Sequence, residues 1–226
     1  MPRRGGLHPL ALHRGDGTRV RTGATHVVVV SEDAWNRAMS TAICVPVYPG
    51  PPTVALFHVG LGDLGHADAS RALSLPHDAL GDVLDELERA SLDDVARSVA
   101  AYLDLDALAQ RRTRRPVPMP ADPPAARQKG IHWADLGLDE RKRVLVLSPD
   151  ERNAVAPYVS ALYVTSRDKR NRRAWQVPAA GGWVITGDLL LQPQRALEHR
   201  RRPTPARATA DEMAEVAVGV HGVLRA

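Results

Sequence analysis

A run of cations beside an indole is the part of this chain best equipped to handle a polyanion. Arg167-Asp168-Lys169-Arg170-Asn171-Arg172-Arg173 holds five basic residues in seven, and Trp175 follows two positions later. Guanidinium forks grip phosphate oxygens and an indole face stacks a base, so the pairing suits a single-stranded nucleic acid. A solvated hairpin tip has the same composition, and the residues alone leave both readings open. Arg200-Arg201-Arg202, before the last helical segment, is a weaker phosphate candidate. Other chemistry is sparse. The nine His are scattered without ligand spacing, and the lone Cys44 excludes an intrachain disulfide and most cysteine-based metal sites. Neither a metal nor a cofactor is expected.

A second polar pattern occurs twice. Val27-Val28-Val29-Val30-Ser31 leads to Asn36, and Val144-Leu145-Val146-Leu147-Ser148 leads to Asn153. The two Ser are 117 positions apart, as are the two Asn. A hydroxyl ending a strand and an amide five residues on can tie down the turn between them. A nucleotide contact is the other use open to Ser148 and Asn153. A period this long exceeds solenoid repeats and reads as one domain duplicated.

The elements around these pairs follow one plan in each half. In the first, Thr25–Ser31 is a buried strand, Ala42–Tyr48 a second β run closed by Pro49-Gly50-Pro51-Pro52, and Thr53–Val59 a third strand before the turn Gly60–Gly65. A short helical stretch is expected over Leu80–Arg89. A helix capped by Ser91 follows, with Leu92, Val95, Ala96, Val99 and Leu103 on its apolar face. In the second half the strands are Val144–Ser148, Val159–Thr165, Trp175–Val177 and Trp183–Thr186, with a turn at Ala180-Gly181-Gly182. The terminal helix opens with the capping box Thr209-Ala210-Asp211-Glu212 and presents Met213, Val216, Ala217, Val220 and Leu224. The two caps are 118 positions apart.

Composition fits this plan. Hydrophobic content is 44% and charged content 25%, as in soluble globular proteins, while aromatics make up only 4%. The cores must therefore be built from aliphatic side chains. No apolar run reaches the ~20 residues of a membrane span and the N-terminus lacks a signal-peptide core, so a cytoplasmic location is expected. Residues 1–109 carry 9 Lys/Arg against 14 Asp/Glu (net −5), and residues 128–226 carry 16 against 11 (net +5). Residues 110–127 form a Pro-rich basic linker with 5 against 1 (net +4). A polyanion should prefer the linker and the second half. Such an imbalance also occurs in Arg- and Ala-rich proteins with no nucleic-acid role.

Short strands followed by one helix describe a small SH3-like barrel with a docked helix. The second half resembles the MazF/PemK ribonuclease toxins of bacterial toxin–antitoxin pairs, whose fold is shared with the gyrase poison CcdB. The resemblance is carried by Lys129-Gly130, Lys142-Arg143-Val144-Leu145-Val146-Leu147-Ser148, Asn153, Val164-Thr165-Ser166 and the Thr209–Leu224 helix. The first half matches more weakly, through Arg4-Gly5, Val27–Ser31, Asn36 and its terminal helix. The resemblance implies an α+β chain of two tandem barrels, residues 1–109 and 128–226, joined by the 110–127 linker and packed as a covalent pseudo-dimer.

The resemblance also implies a chemistry. These toxins cleave RNA without metal, using the ribose 2′-OH as nucleophile and leaving a cyclic phosphate. The roles fall to an Arg before the aliphatic strand and a Thr ending the next one. Thr165 stands at the Thr position. Lys142 stands at the Arg position, with Arg143 where the family has Pro, so a point charge replaces a planar fork unless Arg143 takes the role. A one-residue slip would send Arg143 to the opposite face. The loop between the first two strands is short, Gly137–Glu140, and lacks the family's Glu-Gln-x-Gly-like segment. In the first half the matching positions are Thr25 and Tyr48, which keep neither the cation nor the small hydroxyl.

Two functions follow. One is a metal-independent endoribonuclease acting on single-stranded RNA, with one site formed by Lys142, Arg143 and Thr165. Its RNA contacts would be Arg167, Lys169, Arg170, Arg172, Arg173, Trp175, Asn153 and Ser148. The other is a catalytically degenerate relative that binds nucleic acid or an antitoxin-like protein. A CcdB-like topoisomerase poison is disfavoured, because Val220–Ala226 has none of the aromatic residues that such action relies on.

Overall fold

The computed structural model describes residues 1–10, 22–52, 56–111, 126–135, 141–168, 175–179, 181–198 and 207–225. The chain divides into two compact units, Met1–Tyr102 with Val223–Ala226, and Leu103–Gly222. It is an α+β protein with two antiparallel sheets.

The first sheet contains β1 (Gly6–Pro9), β2 (His26–Val29), β3 (Thr41–Tyr48), β4 (His58–Gly60), β5 (His66–Asp68), β6 (Leu73–Pro76) and β7 (Asp85–Glu86). Its order is β4-β5-β3-β2-β1-β7, and β6 also pairs with β3. A six-residue helix, α1 (Asp33–Ala38), lies between β2 and β3, and α2 (Arg89–Leu103) and α3 (Leu105–Ala109) follow β7. The second sheet contains β8 (Ile131–Asp135), β9 (Arg141–Val146), β10 (Tyr158–Thr165), β11 (Gln176–Ala179), β12 (Gly182–Pro193) and β13 (Leu197–Glu198), in the order β11-β12-β10-β9-β8-β13. Helix α4 (Asp150–Asn153) joins β9 to β10, and α5 (Ala210–Leu224) ends the chain. No helix of the described residues is long and apolar enough to cross a membrane.

The central strands of the two sheets repeat each other's register. In the first, His26 faces Val47, Val47 faces Ala67 and Thr41 faces Pro76. In the second, Arg143 faces Val164, Val164 faces Val184 and Tyr158 faces Pro193. Every one of these partners is shifted by 117. The cores obey the same shift. Val27, Val29, Ala42 and Cys44 cluster in the first unit, and Val144, Val146, Val159 and Ala161 in the second. Leu80 and Leu197 complete the two clusters. Val28, Val30, Leu145 and Leu147 are equally buried on the other face. Both faces of these strands are covered, which is why the sequence shows unbroken aliphatic runs instead of alternation.

The first strand is anchored alike in both units. Gly5 N donates to Val29 O at 2.8 Å and Lys129 N to Val146 O at 2.9 Å. Arg4 N and Gln128 N each donate to a carboxylate, Asp33 Oδ1 and Asp150 Oδ1, at 2.7 Å. Any Cβ on Gly6 or Gly130 would lie 2.9 Å from the Nε2 of His8 or His132. Both histidines are buried and pack beneath a glycine, a structural placement.

Both long helices bury the expected faces. Leu92, Val95, Ala96, Val99 and Leu103 are covered on α2, as are Met213, Val216, Ala217, Val220 and Leu224 on α5. The capping box forms, with Glu212 N donating to Thr209 Oγ1 at 3.2 Å and Thr209 N to Glu212 Oε2 at 2.7 Å. Gly219 packs against Thr186, whose Cγ2 would sit 2.6 Å from an added Cβ.

Three expectations need correction. Leu80–Glu88 is not helical. Gly81 N and Leu84 N donate to Pro9 O and Leu7 O, and Leu87 N to Gly5 O, so the segment runs along the open edge of β1 and forms β7. Ser91 is not a cap, because α2 begins at Arg89 and Leu92 N already donates to Glu88 O. Asn36 and Asn153 lie in short helices, α1 and α4, and not in simple turns. Expectations at 53–55, Gly137–Glu140, Ala180, Arg200–Arg202 and most of the 110–127 linker fall outside the described residues.

Candidate active site

Two strands of the second unit end side by side. The last paired couple between β9 and β10 is Arg143 with Val164, and the register carried one step further sets Lys142 opposite Thr165. Directly opposed residues share a face of the sheet. Lys142 therefore lies on the side of Thr165, and Arg143 on the other. A Cβ added to Gly182 would sit 2.7 Å from Arg143 Nη2, 2.9 Å from Thr165 O and 3.0 Å from Val164 Cγ1. Only a bare α-carbon at 182 lets the guanidinium lie across β12 beside the end of β10. Thr165 is 6% exposed, and its Oγ1 accepts a hydrogen bond from Arg167 N at 3.2 Å. This arrangement offers a hydroxyl, an ammonium and a guanidinium at one corner of the sheet.

Ser148 and Asn153 have a different occupation. Ser148 Oγ donates to Asn153 Oδ1 at 2.6 Å, and Asn153 Nδ2 donates to Ser148 O at 2.9 Å. Ser160 N completes the unit by donating to Ser148 Oγ at 3.1 Å. Ser31, Asn36 and Ile43 make the same three bonds at 2.6, 3.2 and 2.9 Å. All four Ser and Asn side chains are buried. Their polar atoms are spent on closing the β2–β3 and β9–β10 connections, which sets the register that aligns Lys142 with Thr165.

Arg167 is exposed and follows Thr165 by two residues. Trp175 is half-buried, and its carbonyl accepts from Thr186 Oγ1 at 3.2 Å. Lys169, Arg170, Arg172 and Arg173 lie outside the described residues.

The first unit has different groups at the equivalent corner. Thr25 and His26 stand where Lys142 and Arg143 do, Tyr48 where Thr165 does, and His66 where Trp183 does. His26 Nδ1 lies 2.9 Å from Thr25 Oγ1. Gly65 matches Gly182 and is tighter still: its φ is +101° and an added Cβ would lie 2.0 Å from Tyr48 O. Around Tyr48 gather His58, His66, Asp68 and Arg71, none of which the sequence reading singled out. The available signal was the 117-residue offset itself, which sets His66 on Trp183 once the strands are paired. Among the described residues no group of three or more His, Cys, Asp or Glu is arranged to hold a metal ion.

Comparison with known proteins gives structural likenesses. An endoribonuclease in complex with its cognate antitoxin, from a Mycobacterial species, is 26% identical, with a TM-score of 0.40, covering 46% of this chain and 97% of that one. A MazE–MazF structure from Deinococcus radiodurans is 30% identical, with a TM-score of 0.37, covering 44% and 95%. The Mycobacterium tuberculosis toxin MazF-mt6 is 17% identical, with a TM-score of 0.36, covering 42% and 96%. No family model and no curated protein matches.

Proposed function

We propose that this chain, which carries a MazF-like unit within a longer polypeptide, is a metal-independent endoribonuclease with its chemistry in the second half. In this reading the two halves are tandem SH3-like barrels, residues 1–109 and 128–226, joined by a basic linker at 110–127 and paired as an intramolecular pseudo-dimer. Duplication is supported by the offset of 117 that relates β2, β3, β5 and β6 to β9, β10 and β12, with the first strands offset by 124 and β4 by 118.

The observation that carries the functional reading is the register that sets Lys142 across from Thr165 at the ends of adjacent strands, with Arg143 beside them. The reaction needs a group handling the 2′-OH proton and cations facing the charge that grows on phosphorus. Thr165 Oγ1 orients the 2′-OH. Lys142 supplies positive charge on that face, and Arg143 a second cation at the same corner. The 2′-oxygen attacks phosphorus, the bond to the 5′-oxygen breaks, and the proton passes to the leaving oxygen. The products are a 2′,3′-cyclic phosphate and a 5′-hydroxyl. Arg167 and the cations at 169–173, with Trp175, hold the strand, and Ser148 and Asn153 act as framework. A small antitoxin-like protein is the expected regulatory partner.

Purified chain incubated with mixed-sequence single-stranded RNA in EDTA tests this. Cleavage with cyclic phosphate ends, lowered about 100-fold or more by Thr165→Ala, supports the enzyme. One observation favours the other reading: the Thr165 hydroxyl is nearly covered and already accepts a backbone hydrogen bond. Salt-sensitive RNA binding without cleavage would make the chain a binding module.

A further inference from the structure

The first half has lost the Thr and its cation, yet the corner where they would stand is not bare. The Tyr48 and His66 rings stack with centroids 5.8 Å apart and 26° between planes, and His66 and His58 with 4.7 Å and 29°. Arg71 lies over Tyr48, its Cζ 5.7 Å from the ring centroid, and Nη1 donates to Tyr48 Oη at 3.2 Å. Three near-parallel rings form a ladder with a guanidinium at Tyr48; His66 is buried inside it, which leaves His58 as the ring on which a base could stack.

The guanidinium is held in place. Arg71 Nε lies 3.2 Å from Asp68 Oδ2, and the same oxygen is 3.7 Å from His58 Nε2. Asp68 is itself buried, and its Oδ1 accepts from Ser70 N at 3.0 Å and from Ser70 Oγ. Arginine carries five N–H donors. Tyr48 takes one, at Nη1, and Asp68 pairs with the charge on the Nε side, while the side chain stays 53% exposed. The remaining donors form a fork fixed at its base, which suits a phosphate better than a swinging side chain does.

An open cleft lies on the His58 side of this cluster. His58, with Phe57, Val59 and Gly60, forms one wall of a cavity of about 530 Å³ whose other wall is α2 at Arg97, Ser98 and Ala101. That volume falls within the range of small-ligand sites. One carboxylate oxygen of Asp68 links the His58 wall to the Arg71 fork. His66 Nδ1 lies 3.1 Å from Gly50 O, which fixes that ring against the chain.

We infer that Tyr48, His58, His66, Asp68 and Arg71 form a nucleotide-binding subsite, with a base stacked at His58 in the cavity and its phosphate on Arg71. The inference rests on the nucleic-acid reading above for the choice of ligand and is independent of cleavage. The same chemistry serves a nucleotide within a single strand or a free mononucleotide.

The test uses the full chain carrying Thr165→Ala, so that binding is read without cleavage. A short fluorescein-labelled single-stranded oligoribonucleotide of mixed sequence is titrated by anisotropy, and AMP is titrated separately by calorimetry. For the strand, Arg71→Gln should weaken binding about 10-fold and reduce the slope of log K against log salt by about 0.7, one phosphate contact on a single strand. Arg71→Lys should restore the slope but not the affinity, since it keeps the charge and loses the fork. His58→Ala should weaken binding about 10-fold with the slope unchanged. AMP binding that depends equally on Arg71 and His58 assigns the site to a free nucleotide, and strand binding alone assigns it to RNA. If neither ligand responds to Arg71→Gln, in protein whose circular dichroism is unchanged, the inference is overturned. Absence of cleavage by the unmodified chain would instead defeat the enzyme reading and leave this result standing.

Discussion

The two halves use one framework for two different corners. At the end of its third strand the second half carries Thr165 opposite Lys142, with Arg143 laid over Gly182; the first carries Tyr48 opposite Thr25, with His66, Asp68 and Arg71 around it. Away from that corner the central strands of the halves match. The Ser–Asn locks match bond for bond, and the cores match position for position. Positions packed on both faces tolerate little change in volume, because interiors are filled to crystal-like density. The strand ends at the corner lie outside those two-sided aliphatic cores and carry a looser constraint. The framework is therefore where the halves stay alike, and the rim is where they become different.

The glycines at the corner give the largest expected effect on stability. Gly65→Ala places a Cβ 2.0 Å from a backbone oxygen at φ +101°, and should cost about 4 kcal/mol. Gly182→Ala meets first the end of the Arg143 side chain, which can move, and should cost about 2 kcal/mol. Urea unfolding followed by tryptophan fluorescence compares them, and equal losses would mean that the two corners are built alike.

The Ser–Asn locks should behave as equals. Asn36→Ala and Asn153→Ala each leave a buried serine hydroxyl without its acceptor, and each should lose about 2 kcal/mol. A loss confined to one of them would break the equivalence of the halves. Asn153→Ala should in addition lower RNA cleavage, because the lock sets the register of Lys142 with Thr165.

A smaller difference lies inside the cores, where Cys44 stands in the first half and Ala161 in the second. Burial pushes the Cys44 thiol well above the ordinary thiol range. The unfolded thiol ionises near 8.5 while the folded one stays neutral, so stability is intact below that pH. Above it, stability should fall by about 1.4 kcal/mol per pH unit, and Cys44→Ala should remove that slope. Alkylation of the native protein at pH 8 should be negligible and should appear only on unfolding; ready labelling would show that the first core is open.

Much of the framework was legible in the chain. The Val-rich runs, the Thr209 capping box and the apolar faces of α2 and α5 lie where hydrophobic period and cap chemistry set them. Thr165 and Lys142 were legible through a family pattern, which is a statement about spacing. The Leu and Val spacing of Leu80–Glu88 suits a helix in isolation, whereas the unpaired edge of β1 offers the segment backbone partners. Nothing local in the sequence joins His58, His66, Asp68 and Arg71. His66 and Tyr48 become neighbours only when β5 pairs with β3.

By itself the sequence determined that one strand pattern occurs twice, which aliphatic runs are buried, and which faces of the two long helices are covered. Periodic burial and local capping act along the chain, so they can be read along it. Only the tertiary structure decided that Ser148 and Asn153 are spent on each other, that Lys142 and Arg143 fall on opposite faces beside Thr165, and that the first half gathers a ring ladder and a fixed guanidinium at the matching corner. Those facts depend on which strand pairs with which, and in what register. Strand pairings join residues far apart in sequence, and the Ser148–Asn153 contact, though local, was one of two uses the sequence left open.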